Sequence, residues 1–362
     1  MLGLFGSRAW PIALDLGSAT IKMLQLSGGR GTCGVSAAGI YQLPAGLPPA
    51  MDAPEREAAV IDGVREIMKS AEFRGRRVAI SLPDAAVQFK SVRMAAMERR
   101  QLAGAVRGEA AEQFQLTGEL NIQHLCAGEV HQGGEMREEV ILIAAAQSAI
   151  EQVMRIAEAC ELQVEAIEVT PTALARSFSR AFRREVDQSV PRAVVDIGAG
   201  ATKVLVVRGW QILFYRHIEV AGATIDRAVA EALRLGLDEA SSRRRQAMRD
   251  GNADPVIAKC AATVLGDVVR EIGLCLRYCS VTFRGSRPEA VWLCGGESED
   301  PLAARLLEQH LELPVHAFDP LAGMDLSDPG LSIERRNVAG AWAVATGLAL
   351  RHRPAEPERG AA

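Results

Sequence analysis

Aromatic residues are scarce in this chain, at 4% of 362 residues, and no run is long and apolar enough for a membrane span. The longest stretch near the C-terminus without an ionisable residue, 337–350, falls short of the ~18–20 apolar residues that cross a bilayer. A dominant charge sign is also missing. Lys+Arg 41 against Asp+Glu 45 leaves a net charge of -4, so no overall field draws in nucleic acid or an anionic membrane surface. The seven cysteines form no CxxC pair and the six histidines show no ligand spacing, which argues against a disulfide framework and against a metal held by Cys or His. Cys275 and Cys279 share one helical face, but the neighbouring Leu274, Leu276 and Tyr278 read as core packing. The opening MLGLFG lacks the cationic start and cleavage site of a secretory signal, and Asp15 breaks the apolar stretch after it, so a cytoplasmic location is expected.

What is present is enough apolar content, 48%, for a large core divided among two or three domains. Short apolar runs alternate with helical patterns, which predicts an α/β fold. Strands are expected at 12–16, 20–26, 35–40, 78–82, 87–93, 122–130, 140–145, 164–169, 193–197, 202–207, 212–218 and 291–294. Helices are expected at 56–72, 98–114, 148–160, 170–183, 224–235, 255–280, 301–311 and 337–350. Thr170 should cap its helix with Pro171 in the first turn. Segments 43–54 and 241–254 read as linkers, and 351–362 as a disordered tail. Arg243, Arg244 and Arg245 read as a solvated face rather than a polyanion site.

One internal echo carries chemistry. DLGSATIK, from Asp15 to Lys22, and DIGAGATK, from Asp196 to Lys203, share the pattern D-x-G-x-x-x-x-K, each closing one β-run and opening the next. Such a turn offers a strand-end carboxylate, glycine for close backbone approach, and hydroxyls beside amides that bind phosphate oxygens. Two facing turns could clamp a polyphosphate, with Lys22 neutralising charge and Asp15 and Asp196 holding Mg²⁺ through water. A bare pair of tight hairpins would use the same Asp and Gly only for turning. The repetition favours the ligand site. A third element, VWLCGGES, runs a buried strand into Gly295 and Gly296, where the chain could pass close to a flat ligand.

With IALDLGSATIK, VVDIGAGATKV and VWLCGGES in this order, the chain resembles the actin, Hsp70 and sugar-kinase superfamily, as two phosphate loops and an adenosine loop. It is more narrowly similar to the PilM family of type IV pilus assembly proteins, relatives of the division protein FtsA. The segments carrying this are LGLF from Leu2, SLPD from Ser81 to Asp84, VRM ending at Met94, AAA ending at Ala146, Glu168 with ALAR from Ala173 to Arg176, Gly222, and FDP from Phe318 to Pro320. The resemblance implies an actin-like (ribonuclease H-like) two-domain fold with a small α+β subdomain inserted in the first domain. Domain I would comprise 1–75, 148–190 and the helix at 337–350, the insert 76–147, and domain II 191–336.

The resemblance further implies ATP and Mg as cofactors. Asp15, Gly17, Ser18, Ala19, Thr20 and Lys22 would form the first phosphate loop, and Gly198, Ala199, Gly200 and Thr202 the second. Gly222, Gly295, Gly296 and Arg244 would complete the nucleotide contacts, Asp15 and Asp196 would serve the metal, and Asp196 and Glu168 would be the catalytic candidates, with Glu168 also readable as structural. The implied partner is the cytoplasmic N-terminal tail of a PilN-type inner-membrane protein, alongside other platform and motor proteins, with membrane association only through partners and homo-oligomerisation open. Turnover is expected to be slow or absent.

Two departures bear on the nucleotide. Ser241 and Arg244 stand where relatives carry an acidic residue and a lysine against the ribose, and Glu297 replaces the third glycine of the adenosine loop. Pointing away, Glu297 costs little; pointing inward, it repels phosphate. The alternatives are a small-molecule kinase of the same superfamily, for which no polar substrate pocket is found between Ala53 and Gln147, and an FtsA-like filament former, for which 351–362 lacks an apolar anchoring face.

Overall fold

The computed structural model describes residues 9–28, 33–48, 52–114, 119–182, 184–250, 254–283, 287–327 and 339–352. The LGLF stretch at 2–5, the middle of the 43–54 linker, the start of the 337–350 helix and nearly all of the C-terminal tail lie outside those residues.

The internal echo of the sequence is an echo of the fold. In the first half, β1 (Ile12–Leu16), β2 (Thr20–Ser27), β3 (Gly34–Gln42), β4 (Arg77–Ser81) and β8 (Gln163–Glu168) form a five-stranded sheet in the order β3-β2-β1-β4-β8. In the second half, β9 (Pro191–Ile197), β10 (Thr202–Arg208), β11 (Gln211–Ile218), β12 (Val291–Cys294) and β13 (Val315–Ala317) repeat the plan as β11-β10-β9-β12-β13. β1 and β9 are each central, antiparallel to the next strand in sequence (β2 and β10) and parallel to the neighbour on the other side (β4 and β12). Covered on both faces, they carry apolar residues without alternation, as in IALDL and AVVDI.

A third, three-stranded sheet runs β5 (Val87–Ala95), β7 (Glu135–Ala146), β6 (Leu120–Gln132). Helix α2 (Arg99–Gln113) covers one face through Leu102, Val106 and Ala110 against Val140, Leu142 and Ala144. Of the segment 76–147, β4 pairs with β1 and β8 and so belongs to the first sheet, leaving β5 to β7 as the separate unit. That unit leans on the second sheet: Phe89 stacks edge-on to Tyr215 at 4.4 Å, and Ala127, Val130 and Ile141 join the core around β11.

Around the first sheet lie α1 (Pro54–Ser70) and α3 (Gln147–Ala159), while α4 (Thr170–Ser179), which follows β8, packs toward β10 and β11, and the short α5 (Glu185–Ser189) leads into β9. The second sheet is covered by α6 (Gly222–Leu233), α7 (Leu237–Asp250), α8 (Pro255–Thr282) and α9 (Pro301–Leu311), and α10 (Ala343–Ala349) returns to pack on α4. The stripe Ile257, Val264, Leu265, Val268, Val269, Ile272 and Leu276 of α8 is buried, as are Cys275 and Cys279.

Three expectations are corrected. The presumed linker 241–254 is helix α7 as far as Asp250. Its polarity hid it, because its inward face carries Ser241 and Arg244 beside Ala240, while Arg243 on the outer face pairs with Glu239 one turn back. The supposed solvated arginine run therefore has one buried member, Arg244, at 2% exposure. Thr170 does not cap α4; Val169 precedes the helix without a side-chain cap, and the Thr170 hydroxyl donates to Asp84 at 2.7 Å. Pro171 does sit in the first turn.

Candidate functional site

The two D-x-G hairpins meet tip to tip. Asp15 faces Lys22 across β1 and β2, and Asp196 faces Lys203 across β9 and β10, so each motif places its first and last residues opposite one another. At the tips, a Cβ on Gly200 would lie 2.7 Å from the Ser18 hydroxyl. The first turn is held by its neighbours: the Ala19 carbonyl accepts from the Leu43 amide and the Gln42 side chain, both at 2.9 Å. Buried Arg56 donates to the carbonyls of Gly17 and Ser18 at 3.2 and 2.9 Å, and its burial pulls the guanidinium pKa down.

Each aspartate is paired at home. Lys22 Nζ lies 3.5 Å from the Asp15 carboxylate and donates to the Thr20 hydroxyl at 3.0 Å. Ser81 donates to Asp15 at 3.3 Å and accepts from the Leu16 amide. Burial pushes the Asp15 carboxyl up, more than Lys22 and Lys203 pull it down. In the second hairpin, Lys203 bridges Asp196 at 3.0 Å and Asp84 at 2.9 Å. Burial works against its charge, but Asp196 and Asp84 outweigh that and hold the ammonium firmly protonated.

The second turn feeds directly into α6. Gly198 and Ala199 carbonyls accept from the Gly222 and Ala223 amides at 3.2 and 2.7 Å, and the Thr202 hydroxyl donates to Val220. After β12, Gly295 takes φ +97, where an added Cβ would meet the Asp196 carboxylate and the Ile197 carbonyl at 2.3 Å, so only glycine passes here. Gly296 follows into open space. The sequence thus named a set of turns that the fold does bring together.

Glu297 and Arg244 supply the rest. Glu297 points inward, and a Cβ on Gly222 would lie 2.3 Å from its carboxylate. Arg244 donates two hydrogen bonds to it, at 2.6 and 3.0 Å, and a third to Asp226 at 2.6 Å, while Ser241 donates to Asp226 at 2.9 Å. Desolvation opposes the Arg244 charge, and the Glu297 and Asp226 carboxylates more than restore it.

Glu168 stands apart from this cluster. Its carboxylate accepts from Thr172 at 3.1 Å, from Arg176 at 3.0 Å and from Arg351, tying β8 to α4 and to the turn that follows α10. With two guanidinium groups holding it, the structural alternative describes it better than a water-orienting base. Asp84, Lys203, Asp226 and Arg56 were not singled out as site residues. Lys203 had a signal, as the last residue of the second motif, and Asp84 lay within SLPD.

The family model for the type IV pilus assembly protein PilM matches residues 13–353. This chain belongs to the PilM family. Among solved structures, it is similar to a chain of a PilM-PilN type IV pilus biogenesis complex, with 24% identity, 95% of this chain and 98% of that one covered, and a TM-score of 0.81. It is also similar to ethanolamine utilization protein EutJ from Carboxydothermus hydrogenoformans, at 13% identity, 95% and 90% coverage and TM-score 0.58. For MreB 5 of Spiroplasma citri bound to AMPPNP the values are 11%, 93% and 93%, and 0.52. These likenesses establish the actin-like fold that the sequence predicted.

The fold family raises the question of a nucleotide and Mg²⁺, and the donor set does not fit them as it stands. Lys22, Lys203 and Arg244 are each taken by carboxylates, and Glu297 fills the space over Gly222. Among the described residues, no group of three or more His, Cys, Asp and Glu side chains is placed to hold a metal ion.

Proposed function

We propose that this chain is an adaptor of type IV pilus assembly that binds the cytoplasmic N-terminal tail of a PilN-type inner-membrane protein. The observation carrying this reading is the family match over residues 13–353, and the likeness to a chain of a PilM-PilN complex supports it. No helix among the described residues is long and apolar enough to cross a membrane, so in this reading the chain works in the cytoplasm and reaches the membrane through its partner. The three units read as two actin-like domains, with the β5–β7 unit as the insert. Mg-ATP, which the resemblance implied, is left out because the groups that would receive it are spent on one another.

In this reading the tail docks in a cavity beside Trp210. That cavity, of about 260 Å³, opens between β6, α4 and the turn joining β10 to β11, lined by Leu125, Cys126, Ala175, Arg176, Trp210 and Gln211. Trp210 is 60% exposed, unusual for so large an apolar ring, and supplies the kind of aromatic anchor that dominates peptide affinity. The test is fluorescence anisotropy of a labelled tail from the PilN-type protein of the same source, titrated with the full chain. Saturable binding is expected, weakened roughly tenfold by Trp210→Ala. Absence of saturable binding by the wild-type chain would overturn the reading.

A further inference from the structure

We infer that this chain closes its actin-like cleft with its own side chains: Glu297 fills the seat above the first turn of α6, Arg244 locks it there, and the wild-type protein accordingly does not take up Mg-ATP. This goes beyond the pilus reading and does not depend on it.

Space is the first ground. The Glu297 carboxylate lies so close to Gly222 that a Cβ there would be 2.3 Å from its oxygen. Glu297 is 9% exposed and its own amide bonds to the Ile197 carbonyl at 3.0 Å, so backbone and side chain are both fixed against the second hairpin. A ligand entering between the adenosine-type loop and α6 meets this side chain.

Donor accounting is the second. Buried amides and charged donors need partners, and several donors beside α6 and the second hairpin find theirs inside the protein. The amides of Gly222, Ala223 and Thr224, which open α6, donate to Gly198, Ala199 and Ala221 carbonyls. The Gly295 amide donates to Gly340 at 3.1 Å. Arg244 spends three hydrogen bonds on Glu297 and Asp226, and Ser241 spends its hydroxyl proton on Asp226. Lys203 is shared by Asp196 and Asp84.

Charge is the third. Two carboxylates, Asp226 and Glu297, surround the single guanidinium of Arg244, and three, Asp15, Asp84 and Asp196, surround Lys22 and Lys203. Neither cluster carries surplus positive charge for a polyphosphate. To seat one, the Arg244–Glu297 pair would have to open and leave a buried carboxylate without its partner, which is the expensive way to break an ion pair.

The closure also spans the cleft. Arg245 of α7 donates to Gln42 of β3 at 3.3 Å, and Ser18 touches Gly200, so both sheets contribute to the closed form.

The experiment titrates a fluorescent ATP analogue with Mg²⁺ into the full chain and follows thermal unfolding in parallel. For the wild type, no saturable signal and no shift of the unfolding midpoint are expected up to about 1 mM nucleotide. Glu297→Gly should gain saturable binding, at least roughly tenfold tighter than any wild-type signal. Gly222→Ala should lower the midpoint in the wild type but not in the Glu297→Gly background, because the clash disappears with the carboxylate. Saturable wild-type binding, a wild-type midpoint that rises with Mg-ATP, or equal Gly222→Ala losses in both backgrounds would each overturn the inference. So would a folded Glu297→Gly chain that still ignores nucleotide. If Glu297→Gly does not fold, the two wild-type measurements decide. Tail binding is read in a separate titration, so failure here leaves the adaptor reading standing, and the reverse.

Discussion

Lys203 Nζ lies 2.9 Å from the Asp84 carboxylate and 3.0 Å from that of Asp196, so one buried ammonium joins the second hairpin to the segment that leads into the small sheet. Asp196 and Asp84 are far apart in sequence and share no element. Their common cation makes the position of the small unit depend on the hairpin, and the converse.

Removing that cation should be severe. Lys203→Met leaves two carboxylates facing each other in a buried place, and uncompensated charges of this kind cost about 3–5 kcal/mol. The chain is expected to show a large drop in its urea midpoint, and Lys203→Met combined with Asp84→Asn and Asp196→Asn should recover part of it. A single variant as stable as wild type would show that the bridge does not hold the units together.

Acid should act through Asp84 and Asp15 in opposite senses. Burial alone would raise the Asp84 carboxyl, but the charge and hydrogen bond of Lys203, with the Thr170 hydroxyl, hold it below its ordinary 3.8. Unfolding therefore takes up a proton, and the stability Asp84 contributes is full above 3.8 and lost as pH falls through the lower folded value. Asp15 is raised by burial, so its protonation begins in the folded state and partly offsets that loss. In urea melts at a series of pH values below about 5, Asp84→Asn should flatten the acid limb and Asp15→Asn should steepen it.

Gly295→Ala tests the close approach behind the second hairpin. At φ +97 an L side chain is strained, and its Cβ would stand 2.3 Å from the Asp196 carboxylate and the Ile197 carbonyl. A loss of at least ~1–3 kcal/mol is expected, read as a lower thermal midpoint. Gly296→Ala, with nothing within 4 Å, should be nearly neutral. Equal effects at both positions would contradict the backbone geometry.

The architecture was legible in the sequence because the central strands are buried on both faces and write themselves as unbroken apolar runs, once in IALDL and again in AVVDI. The hairpin pairs were legible because their motif recurs. What stayed hidden was polar burial. Arg244 sits in RRR, which reads as a solvated face, and Asp226 sits in an ordinary amphipathic helix, so nothing local announced that Glu297 would bring them together across more than fifty residues. Arg56 was hidden for the same reason: its partners are the backbone carbonyls of Gly17 and Ser18, and a carbonyl leaves no trace in composition. The sheet to which β4 belongs was not legible in its apolar pattern, and its pairing with β1 and β8 decides it.

One carboxylate ties the small sheet to α8. Glu139 of β7, nearly inaccessible, accepts from Tyr278 of α8 at 2.8 Å and from Arg93 of β5 at 3.0 Å. Tyr278→Phe removes one hydrogen bond to a charged acceptor, worth about 1.5–3 kcal/mol. Arg93→Leu removes the counter-charge and should cost more. Because Phe89 and Tyr215 still stack beneath, the unit is expected to loosen from α8 without unfolding either five-stranded sheet. Hydrogen exchange should therefore quicken in β5, β6 and β7 while β1, β2, β9 and β10 keep their protection. Uniform quickening across all three sheets would mean that Glu139 supports the whole molecule rather than seating one part of it, and the small sheet could then not shift as an independent body.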